Sequence, residues 1–167
     1  MNSISMEPLQ PYYSVLGKLK IRLQNEKAYT CDWDSRVFNF PEDVPTMAAF
    51  TLFKRNWLND VSSGVHFESW FGNADIERQA FPIALHVEAT KADTGLVRGV
   101  FNRHIVDQAG DKIASWDGYT VSPKSYQLFI ARLPFSKERL VDEMLAEFLK
   151  VMELHDLIDQ ALQLAVE

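Results

Sequence analysis

A chain of 167 residues with 47% hydrophobic and 24% charged side chains has the size and composition of one folded domain and not of a disordered protein. Its net charge of −6 disfavours broad affinity for nucleic acid or for an anionic membrane surface. The lone Cys31 excludes an intrachain disulfide and a cage of several thiolates, and the start MNSISMEPLQPYY lacks a signal-peptide pattern.

Residues 1–10 are expected to be flexible and 11–167 to form one domain. Tyr12, Leu16, Leu19 and Leu23 recur at helical spacing, although 19–23 also alternates like a strand, and a helix from Pro11 is the favoured reading. Lys18, Lys20 and Arg22 then form its solvated side. Residues 28–40 are aromatic and β-rich, and Asp34-Ser35 divides them into two short strands, with Cys31 half-buried on the first. Pro41 and Pro45 lead into a helix over 47–60, in which Phe50, Phe53, Trp57 and Val61 share a face, and Ser62-Ser63-Gly64 ends it.

The pattern then changes to strands at 65–71, 82–89, 97–106, 113–121 and 126–133. Gly72-Asn73, Asp93-Thr94-Gly95, Ala109-Gly110-Asp111 and Ser122-Pro123 supply turns between them. Most of these connections are too short for crossover helices, so neighbouring strands should pair antiparallel. The last element is a helix over 136–166 with Ser136 as N-cap and Phe135 and Leu140 as a hydrophobic staple. Val141, Leu145, Phe148, Met152, Ile158 and Leu162 form its apolar face.

The fold class is therefore α+β: an antiparallel meander of about five strands, N-terminal helical elements, and a long C-terminal amphipathic helix packed on the sheet. This order of elements resembles helix-grip ligand-binding domains. The resemblance implies a cavity between a curved sheet and the last helix, but no motif carries it and no family is identified from it.

One constellation has chemical content. His66-Phe67-Glu68 and His86-Val87-Glu88 repeat a His-x-Glu pattern on consecutive strands, and residues two apart share a strand face. If His66 pairs with His86 or with Glu88, the four candidate metal ligands His66, Glu68, His86 and Glu88 lie on one face. A register one residue off separates them. Two imidazoles and two carboxylates can hold zinc, iron or manganese, or act as general acid and base. The competing reading is an ordinary solvated polar face, opposite a core face of Val65, Phe67, Leu85 and Val87. That reading is the favoured one, and with it no cofactor is expected.

His104 reads as a packed strand residue, and His155 as a structural histidine in a helix interface. Trp33, Trp57, Trp70 and Trp116 read as core or interface packing. No phosphate-binding, dinucleotide or nucleophile-elbow motif is present. The first functional expectation is a non-catalytic protein-binding protein that neutralises or chaperones a partner, with no nucleic-acid or membrane partner and a cytoplasmic address. The alternatives are a small-molecule-binding domain of helix-grip type and a metal-dependent enzyme using the His-x-Glu face.

A homodimer is expected from length. One helix over 136–166 is about 46 Å long, and a domain of this size is about 40 Å across. The overhang would expose Ile158, Leu162 and Ala165, which either a break near Glu153 to Asp156 that folds the tail back or a second chain must cover, and the second, with these residues as the expected interface, is the favoured reading.

Overall fold

The computed structural model describes residues 9–39, 47–59 and 64–166. Six strands, β1 (Trp33–Asn39), β2 (Ala48–Lys54), β3 (Val65–Phe71), β4 (Ala80–Val87), β5 (Tyr119–Val121) and β6 (Gln127–Pro134), form one sheet. Their order is β1-β2-β3-β4-β6-β5, and every neighbouring pair is antiparallel. Helix α1 (Gln10–Gln24) precedes the sheet, and α2 (Asn73–Arg78) joins β3 to β4. Helices α3 (Lys91–Thr94) and α4 (Arg98–Ala114) lead to β5, and α5 (Leu140–Met152) and α6 (His155–Ala165) follow β6. The protein is α+β, with helices packed on an antiparallel sheet.

Period-2 alternation builds the core. Val65, Phe67 and Phe71 of β3 and Phe81, Ile83, Leu85 and Val87 of β4 are fully buried, together with Phe50 and Leu52 of β2 and Phe129 of β6. Burying each such side chain contributes about 1.5–3 kcal/mol. Tyr12 of α1 stacks against Phe71 with ring centroids 4.6 Å apart, and Phe148 of α5 meets Phe50 edge-on at 5.1 Å. These ring contacts pack α1 against β3 and α5 against β2.

Four expectations about elements are corrected. Residues 47–59 do not form a helix, and Asp60 lies outside the described residues. Ala48 to Phe53 are all buried in β2, because an inner strand covered on both faces becomes a continuous apolar run. Residues 97–106 and 113–121 do not form two strands. Phe101, Ile105, Ala109 and Ile113 form the buried stripe of α4, and only 119–121 is extended. His104 therefore lies on a helix. The break expected at Asp34-Ser35 falls inside β1, where Ser35 is buried beside the Tyr29 hydroxyl at 3.3 Å, and Cys31 is exposed in the preceding turn.

The last correction concerns the chain end. Helix α5 starts at Leu140, after a turn over 137–139, and Ser136 donates its backbone N–H to Glu143 Oε2 at 3.2 Å instead of capping. The helix stops at Met152, Glu153 and Leu154 turn the chain, and α6 returns along α4. Val97 N–H donates to the Ala165 carbonyl at 2.8 Å, and Leu96 bridges Val166. Ile158, Leu162 and Ala165 are accordingly buried within the chain itself, at 0%, 6% and 1% exposure. The single long helix that motivated a dimer is absent, and these three residues are core.

Pro41, Pro45, Val61, Ser62 and Ser63 lie outside the described residues, as do 1–8 of the expected flexible start; Leu9 is buried and Gln10 begins α1.

Gly64 sits where two backbones meet. Val65 N–H donates to the Trp57 carbonyl at 2.8 Å, and a Cβ added at Gly64 would fall 2.4 Å from that same oxygen. Backbone cannot yield as a flexible side chain can. Gly64→Ala is expected to destabilise the fold by about 1–3 kcal/mol, read as a lower urea midpoint with unchanged slope. An unshifted midpoint would show that this approach can open freely.

Candidate metal centre

The β3–β4 register pairs His66 directly with His86, Val65 with Val87, and Glu68 with Ala84. That alignment puts His66, Glu68 and His86 on one face of the sheet, opposite the core face. The expected pairing is therefore present. The expected solvation is not. His66, Glu68 and His86 are only 4%, 5% and 5% exposed, and Glu88 is half-buried. A polar face that water should cover is instead withdrawn from it.

Three donor atoms converge there. Glu68 Oε2 lies 3.1 Å from His66 Nε2 and 3.6 Å from His86 Nδ1, and the two imidazole centroids are 5.3 Å apart. One ligand atom from each of the three residues lies within 4.8 Å of the others. Glu88 is not part of that trio, but its Oε1 is 3.2 Å from His86 Nδ1. Ligands around a tetrahedral zinc, at bond lengths of about 2.0–2.1 Å, stand about 3.3 Å apart. The two Glu68–histidine spacings bracket that value.

Hydrogen bonding fixes the metal-free tautomers. Gln127 Nε2 can only donate, and it lies 3.1 Å from His86 Nε2, so a neutral His86 carries its proton on Nδ1, facing Glu68 and Glu88. His66 Nε2 donates to Glu68 Oε2. Its Nδ1 is buried without a partner. An unpaired buried ring nitrogen costs about 1–3 kcal/mol, so this cluster is not a fully satisfied structural network.

Sequence pattern alone did not find the surroundings. Trp70 and Tyr126 place their rings 5.7 and 5.5 Å from that of His86, and Arg132 lies over Trp70 while pairing with Asp75 at 2.7 Å. Gln127 and Tyr126 belong to β6 and the turn before it. Their presence follows from β6 inserting between β4 and β5, a pairing that chain order does not announce.

A second group, His155, Asp156 and Asp159, also brings three donor atoms within 4.8 Å. Here the carboxylate is already occupied. Asp159 accepts from Lys54 Nζ at 2.5 Å and from the Trp57 indole at 2.7 Å, and Lys54 also reaches His155 Nδ1 at 3.0 Å. This is an anchor between the end of β2 and α6. His155 stands at the first turn of α6 against Trp33, half-buried, and not on its apolar face. Trp33 and Trp57 are core, as expected, while Trp70 and Trp116 are half-buried.

No protein-family model, curated protein or solved structure matches the chain.

The Asp159 anchor has a pH signature. Burial alone would raise its pKa, but hydrogen bonds from Lys54 and Trp57, the Lys54 charge and Asn56 together hold it below the ordinary carboxylate range. A carboxyl group with a depressed folded-state pKa contributes stability above its unfolded value, about 3.9, and that contribution disappears as pH falls through the folded value. Wild-type protein should therefore lose more stability than Asp159→Asn on acidification below about pH 4. At neutral pH the variant should be about 1–2 kcal/mol less stable by urea titration. Parallel acid profiles would disprove the assignment.

Proposed function

We propose that the chain is a divalent-metal protein whose His66, Glu68 and His86 hold one transition-metal ion through His66 Nε2, Glu68 Oε2 and His86 Nδ1. The observation that carries this reading is the convergence of ligand atoms from three buried side chains within 4.8 Å of one another. Two imidazoles and one carboxylate are a donor set suited to zinc or ferrous iron.

Charge supports it. Glu68 and Glu88 both direct an oxygen at the single His86 Nδ1 proton. Two carboxylates around one proton repel each other, whereas a divalent ion balances them. Binding needs a tautomer change in each histidine: the proton of His66 moves to Nδ1 and that of His86 to Nε2. Rotating the Gln127 amide then offers its oxygen to the new His86 N–H, which fixes the ring as outer partners of metal ligands commonly do. A bound ion with three protein ligands would supply Lewis-acid chemistry at its remaining position. Trp70 and Tyr126 wall that site, and Tyr126, 45% exposed, marks its solvent side.

The reading based on protein contacts has less to stand on. The exposed large apolar side chains Ile21, Val100, Tyr126, Leu164 and Val166 are dispersed over α1, α4, the turn before β6 and the end of the chain.

Cobalt(II) added to the metal-free chain should bind with one equivalent per chain and develop the visible bands of a low-coordinate nitrogen–oxygen site. Zinc should displace it. Zinc at about a hundred times its Kd should also stabilise the fold by about 2.7 kcal/mol. Glu68→Gln, which preserves side-chain shape, should abolish the bands while leaving the protein folded. If wild type and Glu68→Gln bind cobalt equally, or if neither binds it, the centre does not exist.

A further inference from the structure

Glu88 is the one member of the His-x-Glu repeat outside the proposed ligand set. Its Oε1 stands 3.2 Å from His86 Nδ1, the same nitrogen that Glu68 Oε2 approaches at 3.6 Å. The Glu88 side chain keeps 31% of its surface in solvent, and that of Glu68 keeps 7%. One carboxylate is thus sunk in the cluster and the other stands at its open edge. Glu88 nevertheless does not join the trio, because no oxygen of it lies within 4.8 Å of all three of the converging donor atoms.

That limit decides what Glu88 does. Bonds from nitrogen or carboxylate oxygen to zinc are about 2.0–2.2 Å, so two ligands of one ion stand no more than about 4.4 Å apart. An oxygen beyond 4.8 Å from one of the three donor atoms is therefore out of reach of the ion they share. A water on that ion is within its reach. Binding through His86 Nδ1 also removes the ring proton that Glu88 accepts in the metal-free chain. The carboxylate then faces the ion's side of the imidazole, where a metal-bound water takes the place of the lost donor. Two histidines and one glutamate are a set that catalytic zinc uses, and such an ion keeps a water in its fourth position with its pKa lowered to about 7.

We propose that the centre hydrolyses small aryl esters, with Glu88 as the general base that takes a proton from the metal-bound water, a reading that rests on the metal centre proposed above. The water oxygen bonds to the ester carbonyl carbon as its proton passes to Glu88. The bond from that carbon to the aryl oxygen then breaks, and Glu88 returns the proton to the departing oxygen. One ester and one water give one carboxylic acid and one phenol, with no further reactant. A carbonyl substrate fits better than a phosphate. Glu68 and Glu88 repel phosphate oxygens, and phosphoryl transfer commonly uses two ions about 3.5–4 Å apart, whereas one set of ligands is gathered here. The aromatic part of the substrate matches Trp70 and Tyr126, whose rings stand 5.7 and 5.5 Å from that of His86 and offer flat apolar partners beside the ion.

Para-nitrophenyl acetate and para-nitrophenyl phosphate, each given to the zinc-loaded full chain, test this through the nitrophenolate released. Wild type should turn over the acetate with saturation, and Glu68→Gln, which loses the ion, should not exceed the buffer rate. Glu88→Gln should bind one equivalent of cobalt with the wild-type bands, while its kcat on the acetate falls about 100-fold or more at nearly unchanged KM. Tyr126→Ala should keep the bands and raise KM about threefold or more. Loss of the bands in Glu88→Gln would make Glu88 a ligand and overturn its role as base, and a wild-type kcat in that variant would overturn it too. Wild type that binds cobalt yet cleaves the acetate no faster than Glu68→Gln would overturn the hydrolase and leave the metal centre standing. Phosphate cleaved as fast as acetate would overturn the carbonyl substrate, and an unchanged KM in Tyr126→Ala would overturn the aromatic wall.

Discussion

His66 lies across from His86, and that one register in the β3–β4 pair determines what either face of the sheet can be. Side chains alternate with a period of two, so a slip of one residue in β4 would place His86 with the phenylalanines and turn Leu85 and Val87 to the other side. Moving two fully buried aliphatic side chains out of the core and one imidazole into it costs several kcal/mol. The register is thus held by the hydrophobic face, through Val65, Phe67, Leu85 and Val87. The polar face inherits its geometry from a constraint it does not itself supply. This is a robust way to build a ligand set, because cluster residues can change without disturbing the pairing that positions them.

Positioning is not burial, however, and burial gives the cluster its chemical character. Thr51 and Phe53 of β2, with 7% and 3% exposure, extend the same withdrawn face beside Glu68, and Arg36 places its guanidinium 4.8 Å from the Phe53 ring centre. A carboxylate in that setting interacts more strongly with its partners than it would in water. His66 Nε2 donates to Glu68 and His86 Nδ1 to Glu88, which satisfies part of the need, yet His66 Nδ1 has no partner. The cluster is therefore strongly coupled internally and incompletely satisfied, a combination more typical of a ligand-binding site than of a structural one.

How much of this the sequence disclosed depends on whether a segment has one buried face or two. Residues 65–71 and 80–87 keep visible alternation, so two strands and their shared faces were readable, while His66 opposite His86 was one of two registers that would gather the four side chains. β2 was not, because Ala48 to Phe53 are buried throughout, and Phe50, Phe53 and Trp57 happen to recur at helical spacing. Helix α4 was hidden differently. Its four-residue steps through Phe101, Ile105, Ala109 and Ile113 are regular, but Gly99 and Gly110 resemble turn signals. Gly110 is accommodated within the helix, where an added Cβ would lie 3.2 Å from Val106. At the chain end the helix breaks without glycine or proline. Length was one hint, since an unbroken helix would overhang the domain unless it breaks near Glu153 to Asp156; Leu154 is another, buried but displaced from the stripe through Phe148 and Met152, so that the apolar face restarts at a new angle through Ile158, Ala161 and Ala165. The burial of the His-x-Glu face was illegible for another reason: alternation reports which residues share a face, and not whether water reaches it.

The metal centre leans on one short segment outside its own two strands. Asn102 holds the carbonyls of Pro123 and Ser125, the Ser125 hydroxyl accepts from Gln127 N–H at 3.0 Å, and the Tyr126 carbonyl accepts from Val87 N–H at 2.7 Å. Two residues beyond Ser125, the Gln127 side chain orients His86. The 123–127 segment is therefore clamped on one side by α4 and on the other by the histidine strand. A substitution at Asn102 would free both carbonyls and disturb the His86 side of the sheet without touching a ligand atom. Glu68 carries charge in the cluster without touching the segment. Side chains that contribute charge but no anchoring bonds to 123–127 are where the chemistry of the site separates from the scaffold that holds it.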